Sequence, residues 1–338
     1  MSRRPNVILF LADDLGYGDI GIHGNTVVKT PHIDAFAKES IEWERFYVNP
    51  VCAPTRASMM TGRHNFRTGV TDVFGSGCEM ATDETTVAEL LHEAGCATGL
   101  FGKWHLGDQA QYSPTQRGFD EALTFHGCAM KSDQYFNPTL LRNDVPEDME
   151  GYCLDIFTDA AIAFMKAHRD DPFFLFLPSN LIHTPLVAPD SLVAQYDNLG
   201  LIESTQKTYA MVQNLDENIG RLRQAQAQFG LEKDTLLIVT SDNGPCSGSN
   251  PVERHMAGLH GLKGTVYENG IRVPCFMRWP NGFQTSGTRA QFAAHVDLLP
   301  TIVEACGVPL PTESKVDGIS LTRTSRKKTV NHQGAKTR

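Results

Sequence analysis

At 338 residues, 41% hydrophobic and 20% charged, the chain has the composition of a soluble globular protein, with enough apolar material for one large α/β domain or a domain with a small appendage. No apolar run approaches the ~20 residues of a membrane span, and a formal net charge of −9 argues against nucleic acid and acidic membrane surfaces as partners. The 8 cysteines are scattered with no C-x-x-C pair, against a zinc knuckle, a redox dithiol or a disulfide scaffold.

Residues Asn6 to Leu11 form an unbroken apolar run, the pattern of a strand covered on both faces. The run ends in Ala12-Asp13-Asp14-Leu15-Gly16, so it is too short and too quickly acidic for a signal h-region. A chain that starts on its first strand predicts a cytoplasmic protein; a periplasmic or secreted one follows if a precursor segment precedes it. Thr30-Pro31 starts a short helix to about Lys38 by N-cap and N1 logic. A strand over 41–48 then leads to Cys52.

Pro54 near the start and Gly62 just past the end punctuate a short helix over 54–61. Cys52 then lies near a helix N-terminus, where free N–H groups and the macrodipole favour an anion. Arg56 adds a permanent cation. A thiol there reads as a low-pKa nucleophile, as the precursor of another group, or as a buried inert cysteine in a turn.

Further along, 83–95 reads as a helix stopped by Gly95, and 96–101 as a strand ending in Gly102-Lys103-Trp104-His105-Leu106-Gly107. The stretch 108–150, rich in Pro, Gly, Asn and Asp, reads as surface loops near a site. A helix over 152–168, a buried strand over 173–178 and the loop Ser179 to Pro185, containing His183, follow. A long helix spans 203–229 with Tyr209, Val212, Leu215, Ile219 and Leu222 as its apolar stripe. A strand over 235–240 ends in Ser241-Asp242-Asn243-Gly244. Gly261 to Glu268, with Lys263, precedes a strand over 271–277, and 295–306 is a last helix closed by Gly307. Strands and helices alternate, with chemistry-bearing residues just after strands. That is the sign of a doubly wound, mostly parallel sheet flanked by helices.

Asp13-Asp14 and Asp242-Asn243 each follow an apolar strand. Alone, either pair reads as a turn or a cap. Two pairs at equivalent positions offer four hard oxygen donors, suited to Ca²⁺, with Mg²⁺ as the alternative, better than to Zn²⁺. Arg56, Lys103 and Lys263 are candidate cations for an oxyanion, and His105 and His183 candidate general acid–base groups. Taken singly, Lys103 and Lys263 also read as solvated surface lysines.

Five motifs in order carry a family resemblance: Asn6 to Asp19, Cys52-x-Pro54-x-Arg56 with its run to Arg63, Gly102 to Gly107, Ser241 to Gly244, and Gly261 to Thr265 with Glu268 to Pro274. From residue 6 to about 321 the chain resembles the type I sulfatases, arylsulfatase-like members of the alkaline phosphatase superfamily. The resemblance implies that Cys52 is converted to formylglycine by a formylglycine-generating enzyme. It implies that Asp13, Asp14, Asp242, Asn243 and modified Cys52 hold calcium. Arg56 would then steady the nucleophile, and Lys103 and Lys263 grip the sulfate. His105 would act on the second hydroxyl of the aldehyde hydrate, and His183 would protonate the leaving alcohol. The expected substrate is a sulfated small molecule or carbohydrate. A phosphonate monoester or phosphodiester hydrolase with the same modified cysteine, and a non-catalytic truncated homologue, are the rival readings. The division expected is a catalytic domain over 1–321 and a basic tail over 322–338, in place of the family's C-terminal subdomain.

Overall fold

The computed structural model describes residues 4–249, 253–283, 286–312 and 315–322; all but the first residue of the basic tail lies outside them. Ten strands, β1 (Asn6–Ala12), β2 (Ile41–Tyr47), β3 (Ala97–Phe101), β4 (Glu121–Thr124), β5 (Thr139–Arg142), β6 (Val145–Asp148), β7 (Phe173–Pro178), β8 (Thr235–Ser241), β9 (Cys275–Arg278) and β10 (Gly287–Ala294), form one sheet. Among the described residues, eight α-helices accompany them: α1 (Pro31–Glu39), α2 (Cys52–Thr61), α3 (Val87–Glu93), α4 (Cys153–Ala167), α5 (Asp190–Val193), α6 (Glu203–Gln228), α7 (Glu268–Ile271) and α8 (Leu298–Ala305).

The strand order is β10-β2-β9-β8-β1-β7-β3-β4-β5-β6. The central run β8, β1, β7, β3 and β4 is parallel throughout. Alternation in β1 divides the core: Val7, Leu9 and Leu11 join the cluster that includes residues of α2, α3 and α8. Ile8, Phe10 and Ala12 join the cluster that includes residues of α1, α4 and α6. With every residue of β1 buried, successive side chains serve opposite layers. Parallel pairing puts the carboxyl ends of β1, β7, β8 and β3 on one edge of the sheet. β2 is antiparallel to β9, which is antiparallel to β8, so its carboxyl end reaches the same edge.

Several expectations are corrected. The stretch 108–150 is not all loop: β4 continues the parallel run, and the hairpin β5–β6 extends the sheet antiparallel. These strands have 4 residues each, and β6 includes Pro146, so no hydrophobic alternation announces them. The last strand before 280 covers 275–278, because 268–271 is helical. β10, largely exposed on the sheet margin, has no buried face to pattern its sequence. Helix α3 starts at Val87, where Thr86 and Glu89 form a reciprocal capping box.

Candidate active site

Each strand of the central edge contributes one piece. β1 runs into Asp13 and Asp14, β8 into Asp242 and Asn243, β3 into Lys103 and His105, β7 into the loop bearing His183, and β2 into Cys52 at the first residue of α2. Asp242 N–H donates to Ala12 O at 3.1 Å and Asp13 N–H to Leu181 O at 2.8 Å, so the sheet ladder extends into the three loops. Asp14 and His105 have φ of +63° and +62°, a left-handed conformation that non-glycine residues adopt at a cost and that recurs at functional sites. Gly102 is required: a Cβ there would sit 1.9 Å from Pro178 O.

Asp13, Asp14, Asp242 and Asn243 are wholly buried. Each carboxylate has a cation. Lys103 Nζ lies 2.6 Å from Asp13 Oδ2, Lys263 Nζ 2.6 Å from Asp14 Oδ1, and Arg56 grips Asp242 Oδ2 through Nε at 3.1 Å and Nη2 at 2.7 Å. The second oxygens of Asp13 and Asp14 are buried without a partner, as is Asn243 Oδ1. Asn243 Nδ2 donates to Asp14 Oδ1 at 2.7 Å, which sets the amide so that its oxygen is the free end. A buried acceptor without a donor costs free energy, and a hard cation would offset that cost for three of them on adjacent loops. This donor set fits Ca²⁺ or Mg²⁺; Asp13, Cys52 and Asp242 also bring ligand atoms within 4.8 Å of one another.

Burial works against an ionised Asp13, yet Lys103, with His183 and Arg56, outweighs it and holds the carboxyl below its usual range. Burial and the Asp13 charge push Asp242 up against the pull of Arg56 and the lysines. Burial opposes the charge on Lys263, but Asp14 and the neighbouring acids hold it above the ordinary lysine range. Lys103 and Lys263 are therefore not solvated surface lysines. Arg56, at 0% exposure, braces Asp242 and donates to Lys103 O at 2.8 Å.

Of the three readings of Cys52, its surroundings oppose the low-pKa thiol. Burial pushes the thiol up, with Asp13 and Asp242 adding to it, and Lys103 and Lys263 only partly offset it. His105 is held neutral, pushed down to about 2 by burial and then by Lys103. Its Nε2–H donates to Val73 O at 2.9 Å, which leaves the Nδ1 lone pair without a partner. His183 pairs Nδ1 with Thr184 O at 2.5 Å, and its Nε2 lies 4.0 Å from Asp14 Oδ2. Nδ1, next to a carbonyl, carries a proton in either charge state, so Nε2, facing the acidic site, is the nitrogen that can exchange one.

The structure thus draws all the predicted residues to one edge. Sequence reasoning passed over Arg254, whose Nε lies 3.0 Å from Asp19 Oδ1 and whose Nη2 donates to Asp14 O at 3.3 Å; no motif surrounds it. It also passed over Tyr135, whose hydroxyl donates to His183 O at 3.0 Å, because it sits in the stretch read as loop.

A mostly parallel sheet with acidic, amide and lysine groups at its carboxyl edge is the alkaline-phosphatase-like arrangement of ester hydrolases. The family model described as Sulfatase matches residues 5–308. The chain belongs to the sulfatase family, whose named relatives are sulfuric ester hydrolases. Arylsulfatase A of Homo sapiens is 33% identical over 95% of this chain and 68% of its own length. Arylsulfatase J of Mus musculus is 30% identical over 96% of this chain and 56% of its own. The structure of Ps i-CgsB in complex with k-i-k-neocarrahexaose superposes with a TM-score of 0.89 at 31% identity, over 95% of this chain and 76% of that one. The chain thus spans 56% to 76% of these relatives' own lengths. Among the described residues, no helix is long and apolar enough to cross a membrane.

Proposed function

We propose that the chain hydrolyses a sulfate monoester, with Cys52 matured to formylglycine by a formylglycine-generating enzyme and calcium held by Asp13, Asp14, Asp242, Asn243 and the modified residue. The observation that carries this reading is the set of three partnerless buried oxygens, Asp13 Oδ1, Asp14 Oδ2 and Asn243 Oδ1, interleaved with three cations beside Cys52. An unmodified Cys52 would also be a soft ligand among hard oxygens. When bound, the ion supplies positive charge that favours a deprotonated hydroxyl nucleophile and offsets the sulfate charge.

The chain's own groups divide the remaining work. Lys103 and Lys263 are pre-oriented by Asp13 and Asp14, so their charge is in place where sulfate oxygens gather charge and no reorganisation is needed. Arg56 holds Asp242 in position from beneath. His105, neutral and with a free Nδ1, is an acceptor for the proton whose loss frees the sulfate. His183 Nε2 delivers a proton to the leaving alcohol. A carbohydrate sulfate is the substrate class with most support, since Ps i-CgsB, 31% identical, was solved with a neocarrahexaose.

The test is the mass of the tryptic peptide Phe46–Arg56 after co-expression with a formylglycine-generating enzyme. The thiol-to-aldehyde mass loss is expected, with turnover of an aryl sulfate that Cys52→Ala abolishes. A thiol that persists while a control sulfatase is converted sinks the reading. Faster turnover of a phosphonate ester bearing the same leaving group would reassign the reaction to phosphonate hydrolysis.

A further inference from the structure

The loop that carries His183 is held by two tyrosines from the segment between β4 and α4. Tyr135, 0% exposed, donates its hydroxyl to His183 O at 3.0 Å, and Tyr152 donates to Val187 O at 2.7 Å. Their rings pack at 6.2 Å between centroids. Cys153 N–H donates to Tyr135 O at 2.8 Å, which ties Tyr135 to the start of α4. Asn180, three residues before His183, reaches Cys153 Sγ and Met130 Sδ of the same segment, each at 3.3 Å. Burial raises the Tyr135 hydroxyl far above the ordinary phenol range, so it stays a neutral donor wherever the enzyme works.

Tyr135 thus bonds to the backbone of the residue whose imidazole is to give up a proton. Among the described residues, the imidazole's own hydrogen bond runs from Nδ1 to Thr184 O at 2.5 Å, an atom one residue along the same loop. A shift of the His183 carbonyl would carry both the imidazole and its anchor.

We propose that Tyr135 is a positioning residue for His183: its phenol–carbonyl bond sets the line along which Nε2 delivers its proton. This rests on the acid role given to His183 above. In that step the nucleophile's oxygen bonds to sulfur as the S–O bond to the leaving alcohol breaks; that bond's electron pair moves onto the bridging oxygen, which takes the Nε2 proton of the imidazolium. The products are a neutral imidazole and a neutral alcohol. A poor leaving group needs that proton most, so misplacing the imidazole slows esters of weakly acidic alcohols and spares esters of acidic phenols.

The experiment compares the matured enzyme with its His183→Ala, Tyr135→Phe and Tyr152→Phe variants on aryl and alkyl sulfates of graded leaving-group acidity. His183→Ala loses roughly 10²-fold in kcat on the poorest leaving group, the low end for a general acid, and little on the best. Tyr135→Phe shows the same tilt in reduced form, about tenfold on the poorest leaving group and within about twofold on the best, with KM unchanged. Tyr152→Phe removes an equivalent buried bond four residues away and leaves the profile flat. A flat His183→Ala profile overturns the acid role and the positioning role with it. A tilted His183→Ala profile beside a uniform loss or no loss in Tyr135→Phe overturns the positioning role alone. So does an equal tilt in Tyr152→Phe.

Discussion

At the scale of single residues, the histidines show how burial decides protonation. His295 lies in the turn before α8, buried, with Nδ1 donating to Tyr47 O at 3.0 Å and Nε2 accepting from Asn49 Nδ2 at 3.1 Å. One donor and one acceptor is the neutral tautomer. Burial lowers its pKa from 6.5 to about 4, against a smaller rise from the Tyr47 carbonyl. The unfolded chain therefore takes up this proton first. The contribution to stability is full above pH 6.5 and is lost as pH falls toward 4. At 1.36 kcal/mol per pKa unit the loss is about 3 kcal/mol. Urea unfolding from pH 7 to pH 4 should show this slope in the wild type and a shallower one in His295→Gln; parallel slopes would remove His295 from the account.

At the scale of elements, the short helices depend on their ends more than on their length. α3 has 7 residues, too few to be stable alone. Its first turn is closed by Thr86 Oγ1 accepting from Glu89 N–H at 3.0 Å and by Glu89 Oε2 accepting from Thr86 N–H at 2.7 Å. The Thr86 hydroxyl also donates to Arg117 O at 3.0 Å, so one buried atom joins the helix to the loop before β4. Thr86→Ala should cost about 2 kcal/mol, the upper end for an N-cap, because the Arg117 carbonyl is orphaned along with the Glu89 N–H. Chemical denaturation reads this directly, and a change under ~0.5 kcal/mol would mean that water replaces both bonds. α2 ends by a different device: Gly62, at φ +66°, donates its N–H to Ser58 O at 2.9 Å, the left-handed stop that glycine permits.

At the scale of the whole molecule, the sheet gathers buried charge of both signs at one edge. Among the described residues there, Asp13, Asp14 and Asp242 meet Arg56, Lys103 and Lys263. A cation that binds the folded edge and not the unfolded chain stabilises the entire sheet. Calcium at about 100 times its Kd should add about 2.7 kcal/mol, visible as a concentration-dependent Tm that a chelator reverses. Lys103→Ala leaves Asp13 with Arg56 at 3.9 Å as its nearest remaining cation, and should cost about 3–5 kcal/mol without calcium. Added calcium should recover part of that loss. A Tm indifferent to calcium in both proteins would argue against an ion at this edge.

Much of this was legible in the residue order. Unbroken apolar runs such as Asn6 to Leu11 identify central strands because strands covered on both faces need apolar side chains at every position. The residues that follow them mark the site because parallel strands end on one edge. The short strands β4, β5 and β6 and the exposed β10 were not legible, since pairing with neighbours distant in sequence creates them. Tertiary structure alone decided the surroundings of Cys52, whose helix-terminal position suggests a low-pKa thiol and whose burial pushes an unmodified thiol up. It also decided which oxygen of Asp13 and of Asp14 meets a lysine and which is buried without a hydrogen-bond partner. Sequence places chemical groups along a line; packing sets how much water and how many opposite charges surround each one, and those set the protonation and the charge.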